Sequence, residues 1–209
     1  MAKKREFINI VFDLGGVIID IDINSTINAL KQTLNLTPDI EPLKIMEMSI
    51  FRQYETGAIN SSEFINRLSQ LSDTTVAPDL IINAWNAMLI SIPEKRIRLI
   101  ENLAQRFRLF VLSNTNALHA KKFEGMISDY ENLSLLFEKV YYSHLIGYRK
   151  PHAKAFTAVI DDSGIQPSET LFVDDLEANI TMARQLHFQT LHVKNGTDIT
   201  ELMKPLLKQ

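Results

Sequence analysis

Short apolar runs alternate along the chain with segments whose apolar residues fall at helical spacing. Residues 7–12, 109–112, 171–173 and 190–193 read as buried parallel strands, and 140–142 as a weaker fifth. Between and after them, residues 93–106, 116–128, 152–163, 176–187 and 197–207 carry the helical pattern. Strand and helix in alternation predict an α/β fold, a doubly wound, Rossmann-like parallel sheet. The long interval after the first strand breaks the alternation. Residues 22–91 show helical spacing (Phe64, Ile65, Leu68, Leu71) and no convincing strand, punctuated by Pro38, Pro42, Gly57 and Pro78. Trp85, Met88 and Leu89 lie at helical spacing there and read as packing. The pattern predicts a core from residues 1–20 and 92–209, with a helical cap of three or four helices at 21–91.

Composition narrows the picture by exclusion. A net charge of −3 over 209 residues gives no electrostatic footprint for nucleic acid, and Lys3, Lys4 and Arg5 read as a solvated leader. With no cysteine, disulfides, thiolate metal sites and cysteine nucleophiles are excluded. No apolar stretch approaches a membrane span, and the first run is too short and interrupted for a secretion signal. The expectation is a soluble, cytoplasmic protein without a membrane or nucleic-acid partner. Oligomeric state is not legible.

The chemistry gathers where strands end. In an open parallel sheet, ligands bind beyond the carboxyl ends of the strands. The first strand ends in Asp13, followed by Leu14, Gly15 and Gly16; the next ends in Ser113-Asn114-Thr115-Asn116; a later one ends in Asp174-Asp175. Gly147-Tyr148-Arg149-Lys150-Pro151 brings a lysine to a helix entrance, where anions are favoured. Each feature alone has a dull explanation: a solvated strand end, a helix cap, a surface charge, a turn. Together they bring a carboxylate, a hydroxyl–amide pair, a cation and a carboxylate pair to one crevice, a combination suited to phosphate and a divalent metal. Asp13 can attack phosphorus and split one displacement into two. Mg²⁺ takes oxygen ligands, available from Asp13, Asp174, Asp175 and a backbone carbonyl near Gly15. Ser113 and Asn114 can donate to phosphoryl oxygens, Lys150 can neutralise the transferring group, and Asn179 can orient a carboxylate or a water.

The order Phe12-Asp13-Leu14-Gly15-Gly16-Val17, Leu112-Ser113-Asn114, Arg149-Lys150-Pro151 and Phe172-Val173-Asp174-Asp175 resembles the haloacid dehalogenase superfamily of hydrolases over essentially the whole chain. The insert matches that family's helical cap. More narrowly, Asp13-Leu14-Gly15-Gly16, Leu112-Ser113-Asn114-Thr115-Asn116 and the stretch Tyr54-Glu55-Thr56-Gly57-Ala58-Ile59 resemble a sugar-phosphatase branch that includes α-D-glucose-1-phosphate phosphatase. The resemblance implies Asp13 as nucleophile and metal ligand, Ser113 as phosphate binder and Lys150 as charge clamp. It favours Asp175 over Asp174 as the metal ligand. It implies a Mg²⁺-dependent phosphatase of a small phosphorylated metabolite.

One position departs from the pattern. The family usually carries an aspartate two residues after the nucleophile as general acid, and this chain has Gly15. General acid–base catalysis contributes about 10²–10⁴-fold. Leaving groups of low pKa, such as an anomeric oxygen or an acyl group, are therefore expected to be favoured over simple alcohols. Asp20 and Asp22 are the nearest acids, and both read as starting the cap. Two alternatives stand beside the phosphatase: a metal-free 2-haloacid dehalogenase, which the carboxylate pair argues against, and a non-catalytic phosphate-binding protein. His119, His144, His152, His187 and His192 lack metal-ligand spacing and read as surface or packing residues. Phe51, Arg52, Tyr54 and Glu55 precede Gly57 where a cap loop can close over substrate.

Overall fold

The computed structural model describes residues 7–36, 49–194 and 196–207. Lys3, Lys4, Arg5, Pro38 and Pro42 lie outside them. The strands are β1 (Asn9–Phe12), β2 (Asp20–Ile21), β3 (Leu89–Ser91), β4 (Arg108–Ser113), β5 (Lys139–Tyr142), β6 (Thr170–Asp174) and β7 (Gln189–His192). Five of them form one parallel sheet in the order β5-β4-β1-β6-β7, as the alternating pattern predicts. The chain builds outward from β1 on one side and then returns to build on the other. Phe12 is thus flanked by Val111 of β4 and Val173 of β6. The crevice beyond the ends of β1 and β6 is the switch point where such sheets bind ligands.

The insert after β1 folds around its own apolar cluster. Its described helices are α1 (Ile23–Thr33), α2 (Ser49–Glu55), α3 (Ser61–Ser69) and α4 (Pro78–Asn86). Three of them begin where local chemistry favours it. Asp22 accepts from the Asn24 N–H at the start of α1, Asn60 accepts from Glu63 at α3, and Pro78 opens α4. Ile27, Leu30, Phe51, Tyr54, Phe64, Leu68, Ile81 and Trp85 face inward together.

The expectation that this stretch lacks strands is corrected at its edge. Leu89–Ser91 pairs antiparallel with Asp20–Ile21, so that a two-stranded ribbon gathers both ends of the insert. The strands are two and three residues long, too short for a periodic signal, and long-range pairing makes them. The helical reading of Trp85, Met88 and Leu89 holds only for Trp85: α4 ends at Asn86, Met88 lies in the turn, and Leu89 belongs to β3. Arg96 ties the ribbon to the core, donating to the Ile18 carbonyl at 3.1 Å and to Asp20 at 2.8 Å.

The core helices are α5 (Glu94–Ala104), α6 (Ala117–Glu124), α7 (Ser143–Ile146), α8 (Ala153–Ser163), α9 (Glu177–Gln185) and α10 (Ile199–Leu207). Side chains alternate across β1, so Ile10 and Phe12 pack on one face with Ile97, Leu103 and Met203. Val11 packs on the other with Phe110, Phe156, Phe172 and Ile180. Helix α6 stops four residues short of its predicted end, where Gly125 forms the cap. Among the described residues no helix is long and apolar enough to cross a membrane.

Cap and core are joined through Trp85. Its ring stacks on His119 at 4.8 Å, its Nε1 donates to Asn116 at 3.2 Å, and its carbonyl accepts from His119 Nε2 at 3.0 Å. Burial lowers the His119 pKa to about 4. The folded protein therefore binds fewer protons here than the unfolded chain between pH 4 and 6.5. This contribution is complete above about pH 6.5 and is lost as pH falls toward 4. Between pH 7 and pH 4 the protein is expected to lose roughly 3 kcal/mol more stability than a His119→Phe variant. Urea unfolding followed by the fluorescence of Trp85, the single tryptophan, measures it.

Candidate active site

Asp13 follows the last residue of β1, and its main chain is still held by the sheet, with its N–H donating to the Val173 carbonyl at 2.8 Å. The residue is 8% exposed. Oδ1 accepts from the Leu14 N–H at 2.7 Å and from Lys150 Nζ at 3.0 Å. The chain then turns sharply: the Ile18 and Ile19 N–H groups both return to the Leu14 carbonyl. Gly16 has a φ of +71°, and a Cβ there would lie 2.5 Å from Asp175 Oδ2. Backbone conformation and close approach thus both require glycine at 16. Gly15 has no positive φ, and a Cβ there would meet the Ile21 side chain at 3.2 Å.

Lys150 is the hub. Its ammonium reaches Asp13 Oδ1 at 3.0 Å and Asp174 Oδ2 at 2.6 Å, and it lies 5.5 Å from the centre of the Phe172 ring. Only 2% of the residue is exposed. Asn114 holds its backbone, accepting from the Lys150 N–H at 2.7 Å and donating to its carbonyl at 2.9 Å. The Asn114 amide is therefore turned to the lysine loop. Ser113, beside it, is buried at the end of β4. The turn beyond it is fixed by Ser143, whose hydroxyl accepts from the Thr115 N–H and donates to the Thr115 carbonyl, each at 2.9 Å.

The adjacent aspartates divide their work. Asp174 is fully buried at the end of β6. Its Oδ1 accepts from the Leu176 N–H and from Asn179 Nδ2, each at 2.9 Å, while Oδ2 accepts from Lys150. Asn179 thus orients a carboxylate, one of its two expected tasks. Asp175 is partly exposed and stands beside Gly16. Carboxylate oxygens of Asp13, Asp174 and Asp175 all lie within 4.8 Å of one another.

Three carboxylates face one ammonium, and the titration of the groups follows. Burial raises the Asp13 carboxyl, the Lys150 ammonium opposes that shift, and Asp174 and Asp175 add to it. Burial likewise raises Asp175, with Asp174 adding to it. Burial acts to lower Lys150, but Asp13 and Asp174 outweigh it and raise the ammonium. The pocket is short of positive charge. Its donors are hard oxygens, the set that a Mg²⁺ ion takes.

The candidates nearby have other tasks. Asp20 pairs with Arg96 and accepts from Ser91, and Asp22 caps α1 through Asn24 and Ser25, so both start the insert as expected. Phe51 stacks on Trp85 at 5.1 Å inside the cap. The Tyr54 hydroxyl lies 2.7 Å from Ser61 and accepts from the Leu118 N–H at 3.0 Å. Glu55 pairs with Arg149 at 3.0 Å, next to Lys150, and burial raises its carboxyl against the pull of Arg149 and Arg52. His119 packs and His152 caps α8. His192 is different: it contacts the Asp175 carbonyl. Its position at a strand end was the only signal available.

Residues 9–187 match the haloacid dehalogenase-like hydrolase family. A D-ribitol-5-phosphate phosphatase from Bacteroides thetaiotaomicron is 32% identical over 91% of this chain and 93% of its own length. A HAD family enzyme from the same organism, solved as a complex with magnesium and inorganic phosphate, superposes with a TM-score of 0.86 at 34% identity, covering 94% of this chain and 98% of that one. A HAD-like hydrolase from Porphyromonas gingivalis gives a TM-score of 0.87 at 31% identity over 98% of this chain and 99% of its own.

Two substitutions test the packing of the site. Lys150→Met leaves Asp13 and Asp174 without their cation and is expected to cost roughly 3 kcal/mol of stability, with part recovered on adding Asp174→Asn. Gly16→Ala sets a side chain at positive φ against Asp175 and is expected to cost about 1–3 kcal/mol. Chemical denaturation of the purified variants reads both.

Proposed function

This chain belongs to the haloacid dehalogenase-like hydrolases, and on that premise we propose that it is a Mg²⁺-dependent phosphatase of a small sugar or sugar-alcohol phosphate. The supporting observation is the charge balance around Lys150: one buried ammonium against three carboxylates, with oxygens within 4.8 Å. Asp13, Asp175 and a backbone carbonyl near Gly15 would hold the ion, which when bound supplies positive charge to the phosphoryl oxygens. Asp174 is engaged by Lys150, Leu176 and Asn179 and acts as the anchor of the lysine instead.

Asp13 attacks phosphorus, the P–O bond to the leaving group breaks, and an aspartyl-phosphate forms; water then attacks phosphorus and frees Asp13. Lys150 keeps the attacking carboxylate in one orientation and offsets charge on the transferring group. Ser113 donates to a phosphoryl oxygen, and Asn114 sets the lysine backbone at the right height. With Gly15 in place of an acid, and Asp20 and Asp22 engaged elsewhere, no side chain next to Asp13 in sequence protonates the leaving oxygen. The metal-free dehalogenase reading is disfavoured because a third carboxylate would add uncompensated charge to an already anionic pocket.

Substrate choice is the finer part of the proposal. The named relative is a phosphatase of a primary-alcohol phosphate, whereas Gly15 favours a better leaving group. A phosphate-release panel holding pentitol phosphates, primary sugar phosphates and an anomeric phosphate separates these. Turnover is expected to require Mg²⁺, to vanish with a chelator, and to fall at least about a thousandfold in Asp13→Asn. Chelator-resistant turnover, or an Asp13→Asn variant equal to wild type, would overturn the mechanism. Rates independent of leaving-group pKa would remove the assigned consequence of Gly15.

A further inference from the structure

His192 ends β7 in register with Asp174 of β6. The main chain there is tied across the sheet, the Val193 N–H donating to the Asp174 carbonyl at 2.9 Å. That places the imidazole over the two-residue link, Asp175 and Leu176, between β6 and α9. Its Nε2 lies 2.9 Å from the Asp175 carbonyl oxygen, and its Nδ1 lies 2.9 Å from Glu177 Oε2. A carbonyl oxygen can only accept, so Nε2 carries the proton and donates. The ring therefore grips the peptide of Asp175 from one side, and its Nδ1 faces Glu177, the first residue of α9, on the other.

The rest of the link is held from below. Asp174 Oδ1 accepts from the Leu176 N–H and from Asn179, and Lys150 holds Oδ2. Without His192, the Asp175 peptide would be tethered on one side only. A carboxylate that ligates a small, geometrically demanding ion must be presented in one orientation, and residues that orient ligands are worth about 10–100-fold in metal affinity. We propose that His192 is a positioning residue for Asp175: by holding the Asp175 carbonyl it sets the carboxylate for the cation. This rests on the reading of Asp175 as a metal ligand. Glu177, exposed and also paired with Arg184, lies on the far side of the ring.

The test is calorimetric titration of MgCl₂ into the full chain without substrate, beside the Mg²⁺ dependence of turnover. His192→Leu is expected to weaken Mg²⁺ binding about tenfold or more. Its rate should return toward wild type once Mg²⁺ saturates, so that the Mg²⁺ midpoint moves and kcat largely does not. His192→Gln, which keeps an N–H within reach of the carbonyl, is expected to recover affinity to within about threefold. The pair His192→Gln and His192→Asn, alike in polarity and different in reach, carries the same comparison if the leucine variant does not fold. A normal Mg²⁺ isotherm in the folded variants, within about twofold of wild type, overturns the role of His192 alone. A wild-type chain that takes up no Mg²⁺ overturns the metal reading and this role together.

Discussion

The ammonium of Lys150, held between Asp13 and Asp174, is the interaction around which the site is assembled. It joins the ends of β1 and β6 to the loop before α8, three segments remote in sequence. Burying ions costs several kcal/mol each, and apolar side chains of the same volume are often as stable or more so. Stability alone therefore does not account for such a cluster. Its excess of negative charge points the same way, because a third carboxylate beside an already paired lysine adds like-charge repulsion to the cluster. The arrangement is understandable as a receptor for added positive charge and for a group that carries it.

The cap is coupled to this cluster through the core loops that build it. Trp85 packs on His119 and Asn116, just beyond the strand end that carries Ser113 and Asn114. Glu55 pairs with Arg149, the neighbour of Lys150. Gly57, at a φ of +70°, passes so close to the His144 carbonyl that a Cβ would sit 2.2 Å from the oxygen. The cap turn therefore seats directly on backbone of the core. At the other end of the insert, Arg96 ties the β2–β3 ribbon to Ile18, in the turn that follows Asp13. The insert thus contacts the core on both sides of the pocket.

Much of this was legible along the chain. The sheet, its buried strands and the carboxylates at their ends follow from hydrophobic pattern, because a strand covered on both faces must be apolar throughout and can carry charge only where it ends. The short strands of the ribbon were not legible, since two or three residues hold no period and pairing across the insert creates them. Gly15 and Gly16 looked alike in sequence. Only Gly16 has the left-handed backbone and the carboxylate against its Cα, while Gly15 faces an apolar side chain.

The sequence by itself determined the fold class, the family pattern and the charged groups that lie together: Asp13, Lys150, Asp174 and Asp175. Tertiary structure alone decided how those groups share the work. Asp174 and Asp175 are neighbours of identical chemistry. Asp174 closes β6 and turns toward Lys150 and Asn179, whereas Asp175 opens the turn beyond the strand, beside Gly16 and under His192. Asn114 faces the lysine backbone for the same kind of reason. The physical cause is that residue type and spacing set where a side chain starts, whereas its hydrogen-bond partners come from strands distant in sequence, which strand order alone brings alongside.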